Sequence, residues 1–565
     1  MGKIYIIGED KQCYFLNNTE SVLFLYPSIN EDKNDFVVKN FQGLNKSDVV
    51  IFDFDNGNWE VECEVALHIR LTPEIPEGRF VPFVFSSNSS LLTYIGKEQS
   101  SEHSTIFLTK GYAFVSPQDV EYELPYQQPI TLDDYYEGFL KRIRIRPEGD
   151  ADGHSIANEW GAKALARMLP SNMTEYVKKT FEKKESKLYF KYRMALSGFS
   201  NTTDVYKYQN LKEPIDIGDK KVLIIDDEAD KGWSNVLEMM IKSSIKIEVF
   251  NQKAKSYNQL PQNIRKNIES EDNSAVYDLI FLDLRMNGVD EEDIYNPKEF
   301  SGMKILKEIK NKNKGIQVII FTASNKAWNL KALLNAGADG YYIKESPEYG
   351  FSIKFSEANS KALCDTIKRC VARSYLKEIC ISIQKIEKDF NKNVKGKTDK
   401  DYKNFLKEIL SQIKLAFEME NLTDPTDLSV SGKRKFANAY ITLYQVIEHI
   451  NKKLIIQDGN GRWRLGDING TYATGMKNDL TGHYSLKDKD RNWKYPEWMK
   501  IMSLFNDYWK QNNNAFLKNI QDLINKRSAF VHDNKKELNT LHSDIYEPIA
   551  FKKLFESIMT LCSFL

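Results

Sequence analysis

At 565 residues the chain is too long for one hydrophobic core, since cores stop growing near ~250 to 300 residues, so several domains are expected. A composition of 41% apolar and 28% charged residues excludes a mainly disordered or collagenous chain, and no run approaches the ~18 unbroken apolar residues of a membrane helix. The formal charge is zero, yet residues 371 to 565 hold 32 Lys+Arg against 24 Asp+Glu, so the C-terminal end is basic by +8 and the remainder acidic by −8. That polarity permits a phosphate-bearing partner at the basic end, but ordinary solvated faces carry as much. Six cysteines without a CxxC pair argue against a zinc site or a disulfide framework and fit a reducing cytoplasm. The opening MGKIYIIGED lacks the apolar core of a secretion signal and reads as a first strand, and Ile6 argues against myristoylation.

In chain order, the first region offers the apolar runs KIYIIGED from Lys3, VVIFDFD from Val49, FVFSSNS from Phe83 and GYAFVSP from Gly111. Residues 146–219 then read as a helical connector. PEGDADG is a loop by its Pro, Gly and Asp content, and NEWGAKALARML has helical spacing. His154, Asn158, Glu159 and Trp160 cluster there and are expected to cap and anchor a helix against its neighbours rather than to carry catalysis.

Residues 220–353 alternate short apolar runs with segments long enough for one helix each. The runs are KVLIID, IKIEVF, YDLIFLDL, IQVIIFTAS and GYYIK. Near-continuous apolar strands alternating with helices indicate a parallel sheet covered on both faces, with reactive groups at the strands' carboxyl ends. Those ends carry Asp226, Asp227 and Glu228, then Asp283, Thr322 and Lys344. Three carboxylates in one place are costly without a divalent cation, and hard oxygen ligands suit Mg²⁺.

This set resembles the receiver domain of two-component response regulators. The resemblance implies a flavodoxin-like doubly wound fold in which Asp283 is the phosphoacceptor. It implies that Asp227, Asp283 and the backbone carbonyl of Arg285 bind Mg²⁺ while Asp226 assists through water, that Thr322 and Lys344 contact the phosphoryl oxygens, and that Tyr341 is the switch aromatic. The chain departs from the pattern in an acidic stretch, NGVDEEDIYNPKEFSG, before and around Gly302, and in Glu345 where proline is usual, which predicts a looser bend.

Laid over this region, residues 1–145 place Asp53 on Asp283 and Ser86 on Thr322, but Gly8 and Glu9 on Asp226 and Asp227 and Val115 on Lys344. They read as a degenerate receiver, without the fixed cation and one metal-side carboxylate, in which phosphorylation is slow or absent.

From residue 354 the pattern is helical. Leu363, Ile367, Val371, Ile379, Ile383 and Ile386 predict one long signalling helix over 354–395. Residues 396–565 then predict an all-α bundle with helices over 401–419, 433–454, 496–526 and 546–563, and DGNGRWRLGDINGTYATG as a loop or short hairpin. INKRSAFVHD contains Arg527 and, after four residues, His532. This resembles the motif of HEPN domains, many of them metal-independent ribonucleases. The resemblance implies Arg527 holding a phosphate, His532 exchanging protons, Ser528 orienting the ring, a homodimer and an RNA substrate. An arginine in a salt bridge and a structural histidine answer the same pattern.

The whole then reads as a cytoplasmic response regulator with no membrane partner, served by a sensor histidine kinase or phosphotransfer protein. Its helical output is either a ribonuclease or a non-enzymatic adaptor that binds a partner protein.

Overall fold

A computed structural model describes residues 2–9, 22–56, 58–96, 102–146, 153–168, 186–196, 213–269, 277–287, 296–322, 327–346, 353–395, 399–427, 429–466, 471–475, 486, 495–511, 513–532 and 548–565. The first domain is a parallel sheet of β1 (Ile4–Ile7), β2 (Val22–Leu25), β3 (Val49–Asp53), β4 (Phe83–Ser86) and β5 (Tyr112–Val115), in the order β2-β1-β3-β4-β5. Its helices include α1 (Lys33–Phe41), α2 (Trp59–Leu71), α3 (Leu91–Ile95) and α4 (Val120–Glu123). The central strands are buried from end to end because helices cover both faces, which is why they lack polar alternation.

The connector supplies α5 (Gly153–Arg167) and α6 (Leu188–Leu196). Trp160 stacks on Phe190 with centroids 5.8 Å apart, joining the two helices. On its other side α6 is fastened to the first domain by Lys191. This buried ammonium donates to Asn34 Oδ1 at 2.5 Å and Thr72 Oγ1 at 2.6 Å and lies 3.0 Å from His68 Nδ1.

β6 (Ile215–Gly218) precedes the second sheet. That sheet is built from β7 (Val222–Ile225), β9 (Glu248–Phe250), β10 (Leu279–Asp283), β11 (Gln317–Thr322) and β12 (Gly340–Ile343) in the order β12-β11-β10-β7-β9. Taken in chain order, the strands of the two sheets have the same arrangement, 2-1-3-4-5, and the recorded strand pairs in both are parallel. A short β8 (Ile241–Ser243) pairs with β6 beside it. The helices are α7 (Trp233–Met240), α8 (Gln262–Glu269), α9 (Ser301–Lys312) and α10 (Ala327–Asn335).

The expected single helix over 354–395 is two helices, α11 (Ile353–Ala372) and α12 (Leu376–Lys395), broken at Arg373–Tyr375. Polar anchors hold the break. Arg373 reaches Asp339 at 3.7 Å and also bonds Asn421, Tyr375 bonds Glu420, and Lys377 pairs with Asp278 at 2.9 Å. Apolar spacing continues through the break, so periodicity could not reveal it. The junction is close: a Cβ on Gly315 would lie 2.2 Å from the backbone carbonyl of Leu376. Gly315→Ala is therefore expected to push the second sheet away from the C-terminal bundle and split their unfolding into separate calorimetric transitions. A single unchanged transition would show that this contact does not hold them together.

The C-terminal region packs α13 (Lys400–Asn421), α14 (Val430–Leu454), α15 (Glu497–Ser503), α16 (Asn514–His532) and α17 (Pro548–Cys562) around one apolar core. It is not all-α. β13 (Ile455–Gln457), β14 (Trp463–Leu465) and β15 (Thr471–Tyr472) form a small antiparallel sheet where a loop or hairpin was expected, because the turn at Asp458–Gly461 folds the chain back on itself. The helix expected over 496–526 is likewise two, interrupted near Lys510, whose φ of 54° no helix accommodates.

Candidate functional site

The register of the second sheet carries its reactive residues to one edge. Leu282 pairs with Ile225, Asp283 with Phe321 and Thr322 with Ile343, so Asp226, Asp283, Thr322 and Lys344 leave neighbouring strand ends together. Lys344 donates from its backbone to the carbonyl of Thr322 at 2.7 Å, which sets its side chain beside the carboxylates. Its ammonium lies 2.6 Å from Asp283 Oδ1 and 2.9 Å from Asp226 Oδ2, with these side chains only 4–5% exposed. The second oxygen of Asp283 accepts the amide of Arg285 at 2.8 Å, and Asp226 Oδ1 accepts that of Glu228 at 2.9 Å.

Charge is short in this pocket. Burial pushes the Asp226 carboxyl up to about 6, with Lys344 opposing and Asp283 adding to the rise. Burial and the two neighbouring aspartates push Asp227 up to about 7. Burial alone would lower Lys344, but Asp226 and Asp283 outweigh it and hold the ammonium above the ordinary lysine range. The pocket thus sets the firmly charged Lys344 beside Asp226 and Asp227, which ionise reluctantly.

A hard cation would relieve that shortage. Oδ1 of Asp227 is buried without a hydrogen-bond partner, which is the state expected of a ligand oxygen. Among the described residues no three His, Cys, Asp or Glu side chains converge closely enough to enclose an ion. The hard carboxylate oxygens here, one of them left unpartnered, are chemically suited to a divalent cation.

The loop after Asp283 is braced by α9. A Cβ on Gly302 would lie 2.1 Å from the carbonyl oxygen of Asp283, and Ser301 Oγ accepts the amide of Met286 at 2.8 Å. The acidic residues 288–295 lie outside the described residues. Tyr341 is half-buried against the core that also receives Ile381 of α12. Buried Glu345 accepts a hydrogen bond from Ser356 of α11 at 2.7 Å, and residues 347–352 of the bend lie outside the described residues.

Two further side chains reach Lys344, and neither is among the residues that the receiver resemblance implies. Trp233, fully buried at the start of α7, lies with its ring 5.2 Å from the Lys344 ammonium. Asn158 enters from α5. Its Oδ1 accepts from Lys344 at 2.6 Å and from Trp233 Nε1 at 2.9 Å, and its Nδ2 donates to Glu228 at 2.9 Å. The anchoring role expected of this cluster is met by Asn158 and Trp160; the side chain of His154 lies outside the described residues. Trp233 follows Gly232, whose φ of 118° turns the chain after the acidic pair, so a Gly-Trp step there was the available signal.

The first domain repeats the geometry without the chemistry. Asp53 is 1% exposed, and its oxygens accept the amide of Asp55 at 3.3 Å and the side chain of Asn56 at 2.9 Å. At Gly8 a Cβ would already lie 3.0 Å from Asp53 Cβ, so the missing acid leaves no space behind it. Buried Glu62 approaches from α2 with both carboxyl oxygens unpartnered.

Residues 222–349 match the family model of the response regulator receiver domain. They contain a receiver domain. Residues 1–115 match the inactive receiver domain, in accord with the loss of the lysine and of one acid. Each match covers less than a quarter of the chain. No curated protein matches the chain. Among solved structures, a crystal structure of a two-component system response regulator/GGDEF domain protein is similar at 10% identity, covering 65% of this chain and 98% of its own. Its TM-score of 0.16 supports no conclusion.

In the C-terminal region Arg527 is occupied: its guanidinium reaches Glu448 at 3.3 Å and lies 5.2 Å from the ring of Tyr444. The side chains of Ser528 and His532 lie outside the described residues.

Proposed function

We propose that the chain is a response regulator that takes a phosphoryl group on Asp283 and passes the change to its C-terminal helical region. The carrying observation is the Lys344 ammonium, held within hydrogen-bond distance of both Asp226 and Asp283 in one buried pocket. An Asp283 oxygen attacks phosphorus, the bond to the donor's leaving atom breaks, and the electron pair leaves with the donor. Asp227, Asp283 and the Arg285 carbonyl would hold Mg²⁺, which when bound neutralises phosphoryl oxygens. Lys344 supplies a fixed charge for the same oxygens, and Thr322 a hydroxyl to bond the product. A histidine kinase or phosphotransfer protein is the donor this chemistry calls for.

Transmission is supported by the ties at the far edge of the receiver. Asp339 and Asp278, at the starts of β12 and β10, hold Arg373 and Lys377 at the α11–α12 break, and Lys314 pairs with Glu418 of α13. A movement of the receiver is thereby felt in the bundle. For the output we favour partner binding over RNA cleavage, because Arg527 is paired with Glu448 and stacked on Tyr444.

Acetyl phosphate with Mg²⁺ is expected to place one hydroxylamine-sensitive phosphate on the full-length chain, at Asp283, and Asp283→Asn is expected to abolish it. Label surviving that substitution, or residing on Asp53, would overturn the assignment.

A further inference from the structure

The connector helix α5 lies outside the segment matched to the receiver, yet it contributes a side chain to the receiver's pocket. An ammonium has three protons to donate, and those of Lys344 go to Asp226, Asp283 and Asn158. No proton is left for an incoming phosphoryl oxygen. Asn158 is itself 2% exposed and fixed from two more sides, by Trp233 and Glu228. Asp283, bonded to the same ammonium, is 3% exposed. The seat of α5 is also close: a Cβ on Gly161 would lie 2.9 Å from the carbonyl oxygen of Glu345 and 3.0 Å from the ring of Trp233.

We infer that α5 is an autoinhibitory plug: its Asn158 holds Lys344 in the resting state and must withdraw before Asp283 can be phosphorylated. This rests on the reading of Asp283 as the phosphoacceptor and adds how that site is regulated. The plug also gives the inactive receiver a part in signalling. α5 stacks on α6 through Trp160 and Phe190, and α6 is fastened to the first domain by Lys191. A shift of that domain therefore pulls on the residue that blocks the phosphorylation pocket. Conversely, phosphate on Asp283 favours the α5-released arrangement, since a group that binds only one of two states shifts the equilibrium toward it.

Two substitutions in the full-length chain test the plug from different sides. Asn158→Ala removes the polar key, and Gly161→Leu wedges the helix off Glu345 and Trp233 while keeping Asn158. Both are expected to speed labelling of Asp283 by acetyl phosphate and Mg²⁺, by at least roughly fivefold for Asn158→Ala, the factor that one of its three hydrogen bonds is worth. Slower labelling in Asn158→Ala would mean that the amide positions Lys344 for transfer, and would overturn the plug. Equal labelling of wild type and variants would overturn the plug while leaving Asp283 as acceptor. No label in any of the three would overturn both readings. Should a variant fail to fold, hydrogen exchange of residues 153–167 in the wild-type chain decides the matter. Beryllium fluoride with Mg²⁺ is expected to lower their protection, and unchanged protection with the receiver saturated would overturn the inference.

Discussion

Lys344→Met is expected to lower the stability of the receiver domain at pH 7 by about 3–5 kcal/mol, the range for removing one partner of a buried ion pair. Methionine keeps the length and most of the bulk of the lysine stem, so packing beside Trp233 survives and the loss is electrostatic. What remains is a pocket of three aspartates without the cation that paired Asp226 and Asp283. Asp226 and Asp227 already resist ionisation with the lysine present, at about 6 and about 7. Without it they must either take up protons or repel one another. Millimolar Mg²⁺ is expected to restore part of the loss, and acyl-phosphate formation is expected to disappear even where stability is recovered. Urea denaturation followed by hydrogen exchange in β7 and β10, with and without Mg²⁺, measures each effect. A loss below about 1 kcal/mol, the value of an exposed pair, would mean that water screens this pocket.

The parts of this arrangement that the sequence reveals are those fixed by local chemistry. Strands such as LIFLD and QVIIFT carry apolar runs of four without polar alternation because both faces are covered, and a parallel sheet must bring its strand ends, with Asp283, Thr322 and Lys344, to one edge. What stays hidden depends on distant contacts. Asn158 is 186 positions from Lys344, in a stretch that reads as an ordinary helix, and nothing local aims its amide at an ammonium. The break between α11 and α12 is hidden for the same reason: Leu363 to Ile386 keep helical spacing, and only Asp339, Asp278 and Glu420 show where the helix must stop. Arg527 illustrates the limit of a short motif. Its spacing from His532 is met as well by an ion pair, and the pair with Glu448 is what the fold supplies.

In the inactive receiver, Glu62→Gln is expected to remove most of that domain's loss of stability between pH 5 and pH 8. Burial, reinforced by Asp53, Glu9 and Asp55, pushes the Glu62 carboxyl from 4.5 up to about 10. The folded domain therefore keeps this proton at pH 7, whereas the unfolded chain has lost it, and folding must take a proton from water. Because the folded value is the raised one, the group's contribution is fully present below pH 4.5 and declines as pH rises toward 10. By pH 7 the decline is on the order of 3 kcal/mol, at ~1.4 kcal/mol for each pH unit between the two values. Glutamine has no proton to lose, so the slope should vanish. Its amide also brings donors into a place where both Glu62 oxygens lack partners, which offsets about 1–2 kcal/mol of the gain. The two stability curves should then cross, with wild type ahead near pH 4.5 and the glutamine variant ahead at pH 8. Urea denaturation of the full-length chain across that range, read from hydrogen exchange in α2 and β3, locates the crossing. Parallel curves would mean that Glu62 ionises in the folded domain as it does in water.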